Sequence, residues 1–164
     1  MHVAVIADTH LPRGSRRLPG ACVERLRAAD LILHAGDLVS LSFLDELRAL
    51  GPPVAAVYGN MDTPDLKLLL PKQHFIEAAG ARIGMVHIAG PRAGRESRLT
   101  ARFPDCTAVV YGHTHVPQLE QVAGVWVLNP GSPTERRRAP MRSMLELRIA
   151  RGEIEPVLVD LGRG

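Results

Sequence analysis

Seven side chains in this sequence are oxygen or imidazole donors, each placed where an apolar run gives out: Asp8, His10, Asp37, Asn60, His87, His113 and His115. None is a thiolate. In extended backbone, side chains two apart point to the same side, so Asp8 and His10 can reach one point while Thr9 faces away, and the same rule pairs His113 with His115. One divalent ion would not use so many ligands, but two ions sharing a ligand would. Histidine and carboxylate without sulfur suit Mn, Fe, Zn, Ni or Co better than a zinc–thiolate cluster or a calcium cage. Two such ions about 3.5–4 Å apart form the arrangement that clamps a phosphoryl group during in-line displacement.

These residues need elements to carry them. Val3 to Ala7 reads as a buried strand ending at Asp8-Thr9-His10. A loop rich in Arg, Gly and Pro runs from Leu11 to Pro19, and a helix is expected from Gly20 to Ala29, where Cys22, Val23, Leu26 and Ala29 recur at helical spacing. Asp30 to His34 is a second strand, ending at Ala35-Gly36-Asp37, and a helix fits Leu41 to Leu50 before Gly51-Pro52-Pro53. Val54 to Tyr58 is a third strand, ending at Gly59-Asn60-Met61-Asp62. Strands separated by helices imply parallel crossovers that deliver one polar residue after another to their C-terminal ends.

Beyond the Leu66 to Pro71 segment the pattern changes. His74 to Ala79 and Ala81 to Ile88 read as a hairpin whose second arm ends near His87, and Gly90 to Pro104 has room for a short helix. Thr107 to Tyr111 leads into Gly112-His113-Thr114-His115. Gln118 to Val122 with Val125 to Leu128, and Ser143 to Ile149 with Ile154 to Leu161, read as two further hairpins. The order implies an α/β protein with two mixed sheets packed together and helices outside, as one domain over residues 1–164.

Composition bounds the remaining classes. The 164 residues are 46% hydrophobic and only 4% aromatic, and the mean hydropathy is +0.02, so the core is one of Val, Leu, Ile and Ala. No apolar run approaches a bilayer span and no leader pattern opens the sequence, so a cytoplasmic protein with no membrane partner is expected. Cys22 and Cys106 stand alone, as buried reduced thiols do. The net charge is +3, and Lys67 and Lys72 are the only lysines among 20 basic residues. So small an excess without aromatic interleaving does not favour nucleic acid over a phosphate-bearing small molecule.

The ordered set Asp8-Thr9-His10, Gly36-Asp37, Gly59-Asn60-Met61-Asp62, His87, Gly112-His113-Thr114-His115 and Asn129-Pro130-Gly131-Ser132 resembles the calcineurin-like metallophosphoesterases, in particular their small bacterial and archaeal phosphodiesterase branch. The resemblance implies a four-layer αββα sandwich binding two divalent ions, with manganese favoured and Fe, Zn, Ni, Co or Mg as alternatives. Asp8, His10 and His115 would hold the first ion, Asn60, His87 and His113 the second, and Asp37 would bridge them. It also implies hydrolysis of phosphate esters by in-line attack of a hydroxide bridging the metals. Asp37, Asn60 and His113 would then serve catalysis as well as ligation, with the Asn60 amide stabilising phosphoryl charge.

Two positions depart from the family pattern. Met61 stands where many relatives have a proton-donating histidine, and Ile88 follows His87 where glycine is usual. Asp62 is expected to orient a ligand or the substrate. The Asn129 to Ser132 turn is expected to support the metal-binding loops. Arg13, Arg136, Arg137, Arg138 and Arg142 are mostly solvated charge, with Arg136 or a neighbour within reach of phosphate. His34 is read as a satisfied strand histidine, and His2 and His74 are given no role. The connection from His87 to His113 is short, so small phosphodiesters are the expected substrates, with a phosphomonoesterase or nuclease as alternatives and homo-oligomerisation left open. A non-catalytic scaffold resembling the retromer coat subunit of this fold is the reading from another class.

Overall fold

Val3 to Ala7 are wholly buried, so strand β1, His2–Ile6, has no solvent face. The two-residue repeat of a strand sends its side chains into two cores. Val3, Val5 and Ala7 enter one that also holds Ile83, Met85, Ala108, Val110 and Leu128 from a second sheet. Ala4 and Ile6 face the other way, against Cys22, Leu26, Phe43, Leu44 and Leu47.

The computed structural model describes residues 1–163. After β1 come helix α1, Gly20–Arg27, strand β2, Leu31–His34, helix α2, Leu41–Arg48, and strand β3, Val54–Ala56. Ser40 caps α2 by accepting the Phe43 N–H at 3.2 Å, which satisfies one of the free amides of the first turn. Helix α3, Pro64–Leu69, follows, then strands β4, Gln73–Ala78, and β5, Ala81–Val86. Helix α4, Arg95–Arg102, precedes β6, Ala108–Tyr111. The chain closes with β7, Gln118–Val122, β8, Val125–Asn129, β9, Ser143–Ala150, and β10, Glu153–Asp160.

Two five-stranded sheets result, in the orders β10-β9-β1-β2-β3 and β4-β5-β6-β8-β7. Both are mixed. β1, β2 and β3 are parallel, as the helical crossovers predict, and β9 joins β1 antiparallel. In the second sheet β5, β6 and β8 are parallel, flanked by antiparallel β4 and β7. One core lies between the sheets, a second under α1, α2 and α3, and a third under α4, where Leu99 and Phe103 meet Val86, Val109, Tyr111 and Val127. This is the α/β sandwich expected from the sequence, in four layers.

The expected elements are present with ends shifted by a few residues, and α3 is the addition. Its signal was local: Thr63 and Pro64 sit at the N-cap and first-turn positions where a hydroxyl residue and a proline are favoured. Cys22 and Cys106 are free and buried, as expected, and burial pushes the Cys22 thiol up to about 12. No helix among the described residues is long and apolar enough to cross a membrane.

Leu33, wholly buried in the core between the sheets, lies on the strand that leads to Asp37. Truncating it to alanine leaves a cavity among residues that cannot fully collapse. Leu33→Ala is therefore expected to cost about 2–5 kcal/mol in urea unfolding.

Candidate metal centre

Strand ends from both sheets bring the seven predicted residues together. Asp8 and His10 follow β1, Asp37 follows β2 and Asn60 follows β3, while His87 follows β5 and His113 and His115 follow β6. All are at C-terminal ends of parallel strands, the place where open α/β sheets bind ligands. Two overlapping groups form, Asp8 with His10 and His115, and Asp8 with Asp37 and His87, each with ligand atoms mutually within 4.8 Å. Asn60 and His113 lie beside the second group, where Asn60 Oδ1 is 3.2 Å from His87 Nε2 and 3.0 Å from His113 Nδ1. The other five side chains are buried, and these two are exposed. The site thus has a buried floor and an open lip.

The backbone that achieves this is not the extended one expected for Asp8-Thr9-His10 and His113-Thr114-His115. Asp8 has φ 55°, His10 48°, Asp37 59°, His113 70° and His115 59°, all left-handed. His113 and His115 accordingly part company. His115 Nε2 approaches Asp8 Oδ1 at 3.3 Å and His10 Nε2 at 3.3 Å, while His113 turns to Asn60. The left-handed residues still form ordered pairs beyond the strand ends: the Asp8 N–H donates to Gly36 O and the His10 N–H to Asp37 O, each at 3.0 Å. Each such residue without glycine's freedom costs on the order of 1 kcal/mol or more and persists only where its surroundings dictate it.

The donor set fits a metal. His87 Nδ1 faces the Ala35 carbonyl at 2.8 Å and His115 Nδ1 faces the Glu135 carbonyl at 3.2 Å. A carbonyl only accepts, so both Nδ1 atoms carry the proton, and in the neutral rings both Nε2 atoms point lone pairs inward. They meet other acceptors there. His87 Nε2 is 3.2 Å from Asp37 Oδ2, and the buried Asp8 Oδ1 has no hydrogen-bond donor. Each carboxylate spends its other oxygen on a backbone amide: Asp8 Oδ2 accepts the His113 N–H and Asp37 Oδ1 accepts the Met61 N–H, both at 2.8 Å. Buried acceptors facing one another call for a cation.

Charge in the site shifts its titrations. Burial opposes ionisation of Asp37, but the protonated form of His87, through an Nε2–H hydrogen bond and its charge, together with the Met61 N–H, outweighs it and holds the carboxyl below its ordinary value. Burial likewise opposes protonation of His87, and the Asp37 and Asp8 carboxylates override it, so that pKa is raised. His10 and His113 are lowered, chiefly by burial.

Close approach explains the glycines of the motifs. A Cβ on Gly36 would meet the His87 ring at 2.7 Å, and one on Gly59 would strike the Asp37 carboxylate. The His87 ring is oriented into the cluster by its Nδ1, which faces the Ala35 carbonyl at 2.8 Å.

A set of buried polar groups holds the loops in place. Asp62, only 3% exposed, accepts the N–H groups of Gly59 and Val39 at 2.6 Å each and of Asp37 at 3.2 Å. It therefore orients a site loop rather than touching substrate, and burial raises its pKa. Ser132 Oγ donates to Asp8 O at 2.8 Å and Thr134 Oγ1 to Thr9 O at 2.8 Å, while Asn129 Nδ2 donates to Gly112 O at 3.0 Å. The Asn129 to Ser132 turn supports both histidine and aspartate loops, and Thr134 extends it beyond the predicted motif. Among the arginines, Arg142 bonds the Leu161 carbonyl at 3.4 Å, and Arg16 and Arg137 pair with Glu135 at 3.6 and 3.5 Å.

A model of the calcineurin-like phosphoesterase superfamily domain matches residues 1–152. The chain belongs to that superfamily. It is 36% identical to a probable metallophosphoesterase of Methanocaldococcus jannaschii over 152 residues, covering 91% of this chain and 76% of the relative. It is 27% identical to a phosphodiesterase of the same organism over 144 residues, covering 80% and 83% of the two chains. Wild-type Vps29 of Entamoeba histolytica complexed with zinc shares the fold at a TM-score of 0.77 and 26% identity, covering 99% of this chain and 100% of that one. Calcineurin-like membership together with the paired ligand groups makes this a metal-binding phosphoesterase domain.

His34 supplies a test of the scaffold beneath the calcineurin-like site. Its Nδ1 accepts the Gly36 N–H at 3.2 Å, so its Nε2 carries the proton and donates to Thr9 Oγ1 at 3.0 Å. The wholly buried ring is a satisfied strand histidine, as expected, and burial lowers its pKa to about 3. Because the folded value lies below the unfolded one, the neutral ring costs nothing at pH 7 and progressively more as pH falls from about 6.5 towards 3. In urea titrations, the stability advantage of wild type over His34→Gln is expected to shrink by about 2 kcal/mol between pH 7 and pH 5. An advantage independent of pH would show that the ring protonates inside the fold.

Proposed function

We propose that the protein is a dinuclear metal-dependent phosphodiesterase acting on small diesters, with manganese the favoured metal. The observation that carries this reading is the double cluster: Asp8 with His10 and His115, and Asp8 with Asp37 and His87, in one buried floor. Asp8, His10 and His115 would hold one ion, Asn60, His87 and His113 would hold the other, and Asp37, whose Oδ2 is 3.7 Å from His10 Nε2 and 3.2 Å from His87 Nε2, would serve both. Bound divalent metal would supply Lewis acidity, polarising a phosphoryl oxygen and acidifying water.

The chain's own part is positioning. Asp8 and Asp37 each have one oxygen fixed by a backbone amide, which leaves the other aimed at the cluster without rotational freedom. Asn60 turns its Oδ1 to the two histidines, so its Nδ2 is free to donate to a phosphoryl oxygen at the open lip. Met61 is 54% exposed and brings no proton to the leaving group, which favours esters of acidic alcohols or phenols. The 27% identity to a phosphodiesterase supports diesters over monoesters.

Bis-p-nitrophenyl phosphate, assayed after loading with Mn, Ni, Co, Zn or Mg, tests this reading against p-nitrophenyl phosphate. Metal-dependent turnover favouring the diester is expected, and a chelator should abolish it. Asp37→Ala is expected to lower kcat by at least about a hundredfold, as loss of a shared ligand orienting both halves of a site does. Full activity of Asp37→Ala would refute the bridging role. Folded protein that binds two ions yet turns over neither ester would instead support the scaffold reading, to which the likeness to Vps29 lends weight.

A further inference from the structure

A cavity of about 370 Å³ opens directly off the lip of the metal centre, and Asn60 and His87 form one wall of it. Tyr58, Val86 and Ile88 give it an apolar side, while Lys67 and Lys72 complete the rim. These are the only two lysines among 20 basic residues. Their convergence follows from the fold. Lys67 lies on α3, and its Nζ donates to the Asn60 carbonyl at 3.0 Å. Lys72 is brought alongside because the Tyr58 N–H donates to Pro71 O at 3.1 Å, and because Gln73 is in register with Val86, the residue before His87. No carboxylate lines the cavity, and neither lysine forms an ion pair among the described residues. A larger groove of about 440 Å³, between the Leu11–Pro19 loop and α2, shares no residue with the metal centre.

A lysine ammonium is a compact charge on a flexible stem, suited to a phosphate whose position is not fixed bidentately. Two of them beside an apolar wall suit the organic body of an ester together with a further anionic group. We propose that this cavity is a specificity subsite for a second phosphate, so that the preferred substrates are small phosphodiesters carrying an additional phosphate on the organic moiety. The proposal rests on the phosphodiesterase reading for the reacting group. Lys67 and Lys72 bind the second phosphate, while Tyr58 and Ile88 pack against the body between the two. Neither lysine reaches the reacting phosphorus in this scheme, and their effect falls on KM more than on kcat.

The test compares the p-nitrophenyl phosphodiester of thymidine with the same diester phosphorylated on its free sugar hydroxyl, using Mn-loaded protein. The second phosphate is expected to raise kcat/KM on the order of tenfold, mainly through KM. In the double variant Lys67→Met, Lys72→Met that ratio should fall to near one. Lys72→Met alone, which leaves the Asn60 contact intact, should lose part of it, and Lys72→Arg should restore it. A ratio unchanged in the double variant, or no preference in wild type, overturns the subsite. Equilibrium dialysis separates this outcome from failure of the phosphodiesterase reading. If wild type turns over neither diester, tighter binding of thymidine bisphosphate than of thymidine monophosphate, lost in the double variant, still supports the subsite, and equal binding overturns it.

Discussion

Lone pairs converge on lone pairs at the meeting point of the two sheets, and the rest of the structure follows from that constraint. Asp8 Oδ1 lacks any donor, His115 and His87 present unprotonated Nε2 atoms in their neutral forms, and five of the seven predicted ligands adopt left-handed backbone. Each feature opposes folding when taken alone. Unpaired buried acceptors are costly, and left-handed aspartate and histidine store strain. Divalent cations between these atoms would offset both, because the charge that makes the cluster unfavourable is the charge that binds them.

Such a cluster needs a rigid frame, and the frame comes from two triads of parallel strands. β1, β2 and β3 end on one side of the site, while β5, β6 and β8 end on the other. Backbone-directed side chains then join the two. Ser132, beyond β8, grips the Asp8 carbonyl, and Asp62, beyond β3, gathers three amides from the loops after β2 and β3. The buried residues make the floor, and exposed Asn60 and His113 form the lip where an ester can enter. At that lip the chain places its only lysines.

Much of this was legible in the sequence because β1, β2 and β6 are buried on both faces and each leads into a polar site residue. The apolar runs Val3–Ala7 and Asp30–His34 announced parallel strands, and the residue types after them announced a metal site. What the pattern could not carry was backbone geometry. Strand periodicity predicts that Asp8 and His10 share a face in extended chain, whereas they converge through left-handed turns. His113 and His115, a natural pair by spacing, serve different sides of the cluster. Thr134 and the amide-gathering role of Asp62 were hidden for the same reason, since their partners are main-chain atoms that leave no mark on composition. α3 was missed although its start was written in Thr63-Pro64, because its six residues are too few to show a period.

The most direct measurement of the central claim is a calorimetric titration of chelator-treated protein with Mn2+ at neutral pH, followed by thermal unfolding of the loaded form. Two ions bound per chain, with a rise in Tm, are the predicted result. A folded protein that binds no ion, or only one, would contradict the account.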